Sequence, residues 1–586
     1  MNKSLLVDTI KASTGKLPCD FLIKNITIID VFNKRRFINS VAIKDGYIVG
    51  IGKYKADTII DGTGKFICPS LIDSHCHIES SFVTPDEYYK IALLNGITSA
   101  IADPHEIANV MGVDGIKFML KSSKNIPFDM FFMLPSCVPG TNFEDSGAVL
   151  NAEDLKEFYN NKKVLGLAEV MNYPALSNTE DSMIDKIYDA ISNNKIIDGH
   201  GAGFTFNMNN SYRTAHIETD HESISKEEAL SKISLGMNIL IRQGTAAKNL
   251  KELFPAINQN NSSRFAFCTD DMHIDDILKK GSINSSIKYC IKNGLSPETS
   301  ISIGSYNGFN IYGLKNRGAI APGYRADFII LNDLNNFVID SVYKDGNLVV
   351  KNGKLINISS KNSTKLNLSI PNSINIKRNL TKEDLQINIT NKSKLNAIKL
   401  IPNKLETKHL SLDITDDLKD KFNNDYVFKQ STKRDLLKIT VIERHKATGK
   451  IGTGILNGLL LKRGAIGTTI AHDSHNIIIV GTNDNDMIAV QKQLSKIGGG
   501  LVIIDNEKVI ASLPLQIGGL MTNLPFEDIK EKLNNIHTAL NYITDNADFD
   551  IFLTMSFLSL PVIPSLRITD KGLFDVQKFK FIDTAF

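Results

Sequence analysis

The middle of the chain, residues 67–316, alternates short apolar runs with amphipathic stretches. Short apolar runs separated by helical windows are typical of parallel strands joined by right-handed crossover helices. Because roughly eight such repeats fit into this region, the pattern predicts a closed (β/α)8 TIM-like barrel rather than an open doubly wound sheet. The predicted strands include 99–102, 130–134, 164–170, 196–199, 239–242 and 265–268, after an opening apolar run at 66–72. The predicted helices include 85–95, 152–160, 179–193, 226–235 and 274–293.

The two segments that flank this region have a different pattern. After a short polar helix or arm at 1–18, residues 19–67 form short β-branched runs separated by turn signals such as Asp45-Gly46 and Asp61-Gly62. Residues 317–358 have the same pattern, with turn signals at Asp345-Gly346 and Asn352-Gly353. We therefore expect one β-sandwich split between residues 1–66 and 317–358, with the barrel between its halves.

The remaining residues predict a further domain. Residues 359–380 are polar and predict a linker, and residues 381–586 mix strand and helix patterns. Predicted strands lie at 437–443, 476–482 and 500–504, and predicted helices at 484–497 and 526–546. We therefore expect a C-terminal α+β domain.

Composition narrows the class of protein. The chain has 586 residues, of which 42% are hydrophobic and 22% charged, and a net charge of +3, with no basic tract to indicate a nucleic-acid partner. The six cysteines form no CxxC pair, which argues against a zinc ribbon or a disulfide framework. No run of 18 apolar residues and no signal peptide is evident, so we expect a cytoplasmic protein without a membrane partner.

One motif stands out at the start of the barrel. The stretch 67–84 reads ICPSLIDSHCHIESSFVT, in which His75, His77 and Glu79 alternate. On an extended strand, alternate side chains share one face, so all three are predicted to point the same way. Taken alone, the motif fits a metal site or two half-buried core histidines about equally well.

Further polar residues follow the later predicted strands, where a barrel has its active site. Glu169 lies in VLGLAEV, His200 ends IIDGH, and Asp270 ends FAFCTD. His221 precedes the helix at 226–235, and His105 and Glu106 follow the strand at 99–102. Any one of these residues is more simply a turn or helix cap, but the joint pattern predicts a metal centre.

The residue types indicate the chemistry. Imidazole and carboxylate ligands without thiolate suit Mn²⁺, Fe²⁺ or Zn²⁺ and do not choose among them. Glu169 is placed to bridge two ions, and Asp270 to take a proton from water and pass it to a leaving group. A metal ion lowers the pKa of water so that hydroxide forms near neutral pH, which predicts hydrolysis without a protein nucleophile.

These motifs resemble those of the adenine deaminase family of the amidohydrolase superfamily. The resemblance rests on PSLIDSHCHIESSFVTP, ADPHEIANVMG, AEVMNYP, ETDHE, IRQGTAAKNL and FCTDDMH in the barrel. GAIAPGYRADFIIL and VYKDG are similar to its returning sandwich, and RGAIGTTIAHDSHNIIIVGTNDNDM, IGGGLV and MSFLSLPVIPSLRITDKGLFDV to its C-terminal domain. The resemblance covers nearly the whole chain.

The resemblance implies hydrolysis of adenine to hypoxanthine and ammonia, with a small-molecule purine substrate, two Mn²⁺ or Fe²⁺ ions and a homodimer or larger assembly. Carried over by position, the metal ligands would be His75, His77, Glu169, His200, His221 and Asp270. The same carry-over places Glu79, His105, Glu106, Asp271, His273, His472 and His475 at the rim, as further ligands or substrate contacts. Residues 201–219 are less regular than the loop that the family usually has at this place. Where this loop shapes the purine pocket, the difference affects which substrate binds.

Two alternatives stay open at this point. A cyclic amidohydrolase that acts on a ring amide would use a similar set of ligands, although the C-terminal domain disfavours it. A non-catalytic metal-binding homologue is disfavoured by the complete set of acids and histidines. In AHDSHN, His472 and His475 form a second polar cluster that alone fits a turn better than a site. Given the resemblance, we expect this loop to reach the barrel mouth.

Overall fold

The structure is a computed structural model that describes residues 2–245, 247–356, 358, 373–545 and 549–586. The predicted fold class is confirmed: a barrel, a β-sandwich formed from both of its flanks, and a C-terminal α+β domain. Of the predicted linker, residues 359–372 lie outside the described residues, and 373–380 contain no helix or strand. The domain boundaries themselves stay predictions.

The N-terminal flank begins with a helix whose first turn is capped by Asn2, because the Asn2 side chain accepts a hydrogen bond from the Leu5 amide. Asp45 and Gly46 have φ values of 49° and 78°, as a two-residue hairpin turn requires. The elements are α1 (Lys3–Ser13), β1 (Cys19–Asp30), β2 (Arg35–Lys44), β3 (Tyr47–Ile51), β4 (Ala56–Asp61) and β5 (Phe66–Pro69).

The barrel strands follow and pair in parallel. They are β6 (Leu71–His77), β7 (Ile97–Ala102), β8 (Asp129–Leu134), β9 (Val164–Val170), β10 (Ile196–Gly199), β11 (Thr219–Asp220), β12 (Asn238–Arg242), β13 (Phe265–Cys268) and β14 (Asp270–Asp271). The last of these pairs with the first, with Asp270 opposite Cys76. The ends of the first and last strands therefore lie side by side.

Helices connect and cover the barrel strands. They are α2 (Pro85–Leu94), α3 (His105–Met111), α4 (Val113–Ser122), α5 (Ala152–Leu155), α6 (Tyr173–Ser177), α7 (Asp181–Ser192), α8 (Phe206–Thr214), α9 (Lys226–Ser234), α10 (Leu250–Leu253), α11 (Ile274–Lys280), α12 (Ile283–Lys292), α13 (Pro297–Ile303) and α14 (Tyr306–Ile311). The prediction of one helix over 274–293 is wrong. Gly281, with a φ of 82°, ends α11 and starts a new direction for α12.

After the barrel the chain returns to the N-terminal sheet. The returning strands are β15 (Phe328–Asp333), β16 (Val338–Lys344), β17 (Asn347–Lys351) and β18 (Lys354–Leu355). Because β15 pairs antiparallel with β5, both flanks join one nine-stranded sheet. The Asp345-Gly346 and Asn352-Gly353 turns have the positive φ values that their hairpins require.

The C-terminal domain is built on an eight-stranded sheet, against which two long helices pack. The strands of the whole domain, some of them outside this sheet, are β19 (Lys394–Leu400), β20 (Thr407–Asp413), β21 (Lys419–Phe422), β22 (Asp425–Phe428), β23 (Leu436–Ile442), β24 (Ile451–Asn457), β25 (Ala465–Thr468), β26 (Ile477–Gly481), β27 (Gly500–Asp505), β28 (Lys508–Pro514), β29 (Leu566–Thr569), β30 (Gly572–Asp575) and β31 (Lys580–Phe581). Its helices are α15 (Asp484–Ile497), α16 (Phe526–Ile543) and α17 (Ile551–Ser556).

The loop between β25 and β26, residues 469–476, is tied to other parts of the C-terminal region by a buried arginine. The Arg444 guanidinium donates hydrogen bonds to the carbonyl oxygens of His475, Ser373 (2.6 Å) and Gly518 (2.8 Å). A fully buried guanidinium is costly unless its donors are satisfied, so these bonds fix the path of the loop. The six cysteines are buried and free, and none of the described helices is long and apolar enough to cross a membrane.

Candidate metal centre

Two histidines lie at the end of the first barrel strand. His75 and His77 are buried on one face of β6, as their alternation predicted, and their Nε2 atoms are 3.3 Å apart. His77 Nδ1 lies 3.1 Å from the carbonyl oxygen of Asp103, and an N–H donated there leaves the Nε2 lone pair directed inward. Both imidazoles therefore present Nε2 to the same small space.

Glu169, on β9, stands between two groups of histidines. Its Oε1 lies 3.4 Å from His105 Nδ1 and 3.7 Å from His77 Nε2. Its Oε2 lies 2.6 Å from His200 Nδ1 and 3.0 Å from His221 Nε2. The two oxygens of one carboxylate thus face different partners, an arrangement that suits a bridging ligand.

Asp270 completes the cluster from the last strand. Its Oδ1 lies 3.1 Å from His77 Nε2 and 3.6 Å from His75 Nε2, while its Oδ2 accepts a hydrogen bond of 2.9 Å from Arg242 Nη1. Burial alone would raise the pKa of Asp270, but the Arg242 charge and the two histidines hold it well below its ordinary value. The carboxylate is therefore ionised and held in a fixed orientation.

These six residues, which we call the central cluster, are His75, His77, Glu169, His200, His221 and Asp270. The donor set fits a divalent metal, since it offers imidazole and carboxylate without thiolate. Among the described residues, His75 Nδ1 and both nitrogens of His221 lack a hydrogen-bond partner, even though His221 Nε2 is close to Glu169. Of these nitrogens, His221 Nε2 is the one that points into the cluster, and a cation shared with Glu169 would explain why it makes no hydrogen bond there. The residues of the central cluster therefore fit a divalent metal ion.

Several polar residues beside the central cluster were not singled out from the sequence. Asp103 Oδ2 lies 2.9 Å from His105 Nδ1, and Glu222 accepts a short hydrogen bond from Arg242. Arg242 could have been found from the sequence, because it is a charged residue that directly follows the apolar run ILI at the end of β12. His105, expected at the rim, lies close enough to Glu169 that both side chains could bind the same metal ion.

Glu79 does not share the strand face of the two histidines, so that prediction is wrong. The extended strand ends at His77, and residues 78–81 form a 3-10 turn. Glu79 Oε1 accepts a hydrogen bond of 3.1 Å from the Ile107 amide in the first turn of α3, where the helix dipole favours a carboxylate. Its other oxygen is buried without a partner among the described residues.

A second cluster joins the barrel to the C-terminal domain. We call Glu106, His472 and His475 the rim cluster. Glu106 Oε1 lies 2.6 Å from His472 Nδ1, and Glu106 Oε2 makes a short contact with His475 Nε2. All three side chains are buried. The loop 469–476 therefore reaches the barrel mouth, as expected.

The other two predicted rim residues, Asp271 and His273, contact segments beside the central cluster. Asp271 Oδ1 accepts a short hydrogen bond from Ser80. The His273 ring lies 4.7 Å from that of Phe82, and its Nδ1 is 3.5 Å from Asp550 Oδ2 in the C-terminal domain. Both residues connect neighbouring segments.

Comparison with known proteins agrees with this architecture. The amidohydrolase family model matches residues 66–349, and the adenine deaminase C-terminal domain model matches residues 413–580. The chain is 46% identical to the adenine deaminase of Geobacillus kaustophilus over 99% of both chains. It is 45% identical to that of Bacillus velezensis and 44% to that of Bacillus subtilis, each over 99% of this chain and 100% of the relative. This chain belongs to the adenine deaminase family of the amidohydrolase superfamily.

Proposed function

We propose that this protein is an adenine deaminase, which hydrolyses adenine and water to hypoxanthine and ammonia. The observation that carries the proposal is the central cluster at the strand ends of a chain that aligns over nearly its whole length with adenine deaminases. The reaction breaks the bond between C6 and the exocyclic amino nitrogen, and water supplies the new oxygen.

We propose that the central cluster holds two divalent ions, Mn²⁺ or Fe²⁺, with Zn²⁺ as a third candidate. The separate partners of the two Glu169 oxygens support a count of two, with Glu169 as the bridging residue. Imidazole and carboxylate ligands are compatible with all three metals. When bound, such ions act as Lewis acids that lower the pKa of a water molecule.

The chain's own part in the reaction centres on Asp270. Its Oδ1 faces the two histidines of β6, and its Oδ2 is fixed by Arg242. We propose that Asp270 accepts the proton of the attacking water and delivers it to the departing amino group, as a general base and then a general acid. Arg242 is a positioning residue, since it keeps this carboxylate ionised and aimed.

The surroundings of the central cluster support the same function. Five of its six side chains are buried, so the reaction takes place away from bulk water. Glu79, His105 and the rim cluster are proposed to border the purine site, and Asp271 and His273 to support it. We also propose that the protein is cytoplasmic and assembles as a homodimer or larger homo-oligomer.

An assay with metal-loaded protein tests the function. Protein loaded with Mn²⁺ or Fe²⁺ is mixed with adenine, and ultraviolet absorbance and released ammonia are followed. We expect equal amounts of hypoxanthine and ammonia. Turnover of a hydantoin or dihydroorotate in place of adenine would favour a cyclic amidohydrolase, and binding of metal with no turnover of any of them would favour a non-catalytic homologue.

A further inference from the structure

Two buried carboxyl groups outside both clusters lack hydrogen bonds. Glu144 lies in the loop between β8 and α5, and Asp473 lies between the two histidines of the rim cluster. Glu144 is 4% exposed and neither of its oxygens has a hydrogen-bond partner among the described residues. Asp473 is 6% exposed and makes no side-chain hydrogen bond within the described part of the chain, but unlike those of Glu144 its oxygens are not fully shielded. A buried carboxyl without a partner is costly, so this pair requires an explanation.

The two carboxyl groups lie close enough for the charge of Asp473 to affect Glu144. Burial raises the pKa of Glu144 well above its ordinary value, and the charge of Asp473 raises it further, against a smaller lowering by the Ser474 hydroxyl. Burial likewise raises the pKa of Asp473 to about 6. The charge of Asp473 thus acts on Glu144, although no hydrogen bond joins the two groups within the described residues.

Asp473 is the member of the pair that faces the central cluster. Its carboxyl interacts electrostatically with His105, Glu106 and Glu169. Glu144, in contrast, interacts with Asp473 and with Asp570 of the C-terminal domain. A hydrogen-bond donor in the barrel mouth would therefore meet Asp473 first, with Glu144 behind it.

The backbone around Asp473 is shaped to keep its carboxylate in place. A Cβ atom at Gly140 would lie 2.6 Å from Asp473 Oδ2, so a larger residue at this position would require the carboxylate to shift. The loop that carries Asp473 is itself anchored, because Asn476 Nδ2 donates a 2.8 Å hydrogen bond to the Asp145 carbonyl oxygen. The position of the carboxylate is thus built by both domains.

The proposed substrate supplies the missing donor. Free adenine carries N–H donors at two places, the exocyclic amino group and the imidazole ring. The amino group is the one that departs, so it must lie at the central cluster beside Asp270. The donor that remains for an acceptor farther along the mouth is the imidazole N–H.

We propose that Asp473, backed by Glu144, accepts a hydrogen bond from the imidazole N–H of the bound purine base. This inference rests on the proposed function and identifies the part of the substrate that the C-terminal domain reads. A nucleoside carries its sugar on N9 and has no imidazole N–H, so it would leave Asp473 buried and unpartnered. A site built around a polar partner rejects ligands that lack it. The contact therefore selects the free base over the nucleoside.

Calorimetry with a ligand that does not turn over tests this directly. Metal-loaded wild type is titrated with hypoxanthine and with 9-methylhypoxanthine, which has no imidazole N–H. We expect wild type to prefer hypoxanthine, and Asp473→Asn to weaken hypoxanthine binding by about 10- to 100-fold, as expected for loss of a charged acceptor. Binding of the methylated ligand should change little.

Two further variants make the result decisive. Gly140→Ala should displace the Asp473 carboxylate and reduce the same preference, and it carries the test if Asp473→Asn does not fold. Asp145→Asn is the matched control, since Asp145 pairs with Lys450 and Lys571 across the same interface and should keep the preference.

Equal weakening of both ligands in Asp473→Asn, or no wild-type preference, would overturn the inference. The proposed function is judged separately, by whether wild type converts adenine to hypoxanthine and ammonia. Preferential hypoxanthine binding that depends on Asp473 in a protein that does not deaminate adenine would refute the function and leave the inference standing.

Discussion

The central cluster and the rim cluster contain the same kinds of residue, histidine and carboxylate, yet their hydrogen bonds differ. In the central cluster, His75 Nδ1 and both His221 nitrogens have no hydrogen-bond partner within the described residues. In the rim cluster, the Ala471 amide donates a hydrogen bond of 3.2 Å to His475 Nδ1. That donor requires a lone pair on Nδ1, so in the neutral ring the proton is on Nε2, which faces Glu106.

The difference separates a metal site from a hydrogen-bonded one. Burial lowers the pKa of His475 to about 4, despite the opposing charge of Glu106, so its ring is neutral. A neutral ring with its proton on Nε2 donates to Glu106 and has no lone pair there for a metal. Residue types alone would allow a metal ion at either cluster, and the proton on His475 Nε2 argues against one at the rim cluster.

The largest effect is expected from Asp270→Asn, which removes the proposed proton acceptor and leaves the shape of the site. We expect kcat for adenine to fall by roughly 10²- to 10⁴-fold, the usual contribution of general acid–base catalysis. Steady-state kinetics beside a thermal melt would measure it. A variant with near-normal kcat would remove Asp270 from proton transfer.

A smaller effect is expected at the rim cluster. His475→Ala removes the donor to Glu106 and should lower kcat/KM by about 10- to 100-fold, as for other residues that orient a site from outside it. Metal content should be unchanged. His475→Gln, whose amide can donate in place of Nε2, should recover part of the loss, and a His475→Ala protein that lost metal would place His475 among the ligands.

The smallest effect is expected from a third histidine–carboxylate pair at the domain interface. His537 Nε2 lies 3.3 Å from Asp275 Oδ2, and the His537 side chain is 43% exposed. Exposed ion pairs stabilise proteins by at most about 1 kcal/mol. His537→Ala should therefore shift the melting temperature only slightly and leave kcat unchanged. A large loss of activity would show that the His537–Asp275 pair takes part in function.

Much of the barrel was predictable because its signals are local. The apolar runs that form β9, β10 and β13 predicted those strands with the bounds that the structure has. β11 was missed because it has only two residues, Thr219 and Asp220, and no apolar run. The strand-end rule then brought the members of the central cluster together before any distance was known.

The features of the site that could not be predicted from the sequence depend on contacts that form only in the folded chain. Glu79 leaves the face of His77 because the strand stops and α3 offers an amide, which alternation does not encode. The protonation of His475 depends on the backbone of its own tight loop. Glu144 and Asp473 are 329 positions apart, and only folding brings them to one place.

The central claim, that one cluster holds metal and the other does not, is tested most directly by anomalous X-ray diffraction at the manganese edge on crystals of Mn²⁺-loaded protein. The account predicts two anomalous peaks among His75, His77, Glu169, His200, His221 and Asp270, and no peak between Glu106, His472 and His475. A peak at the rim cluster, or none at the central cluster, would contradict it.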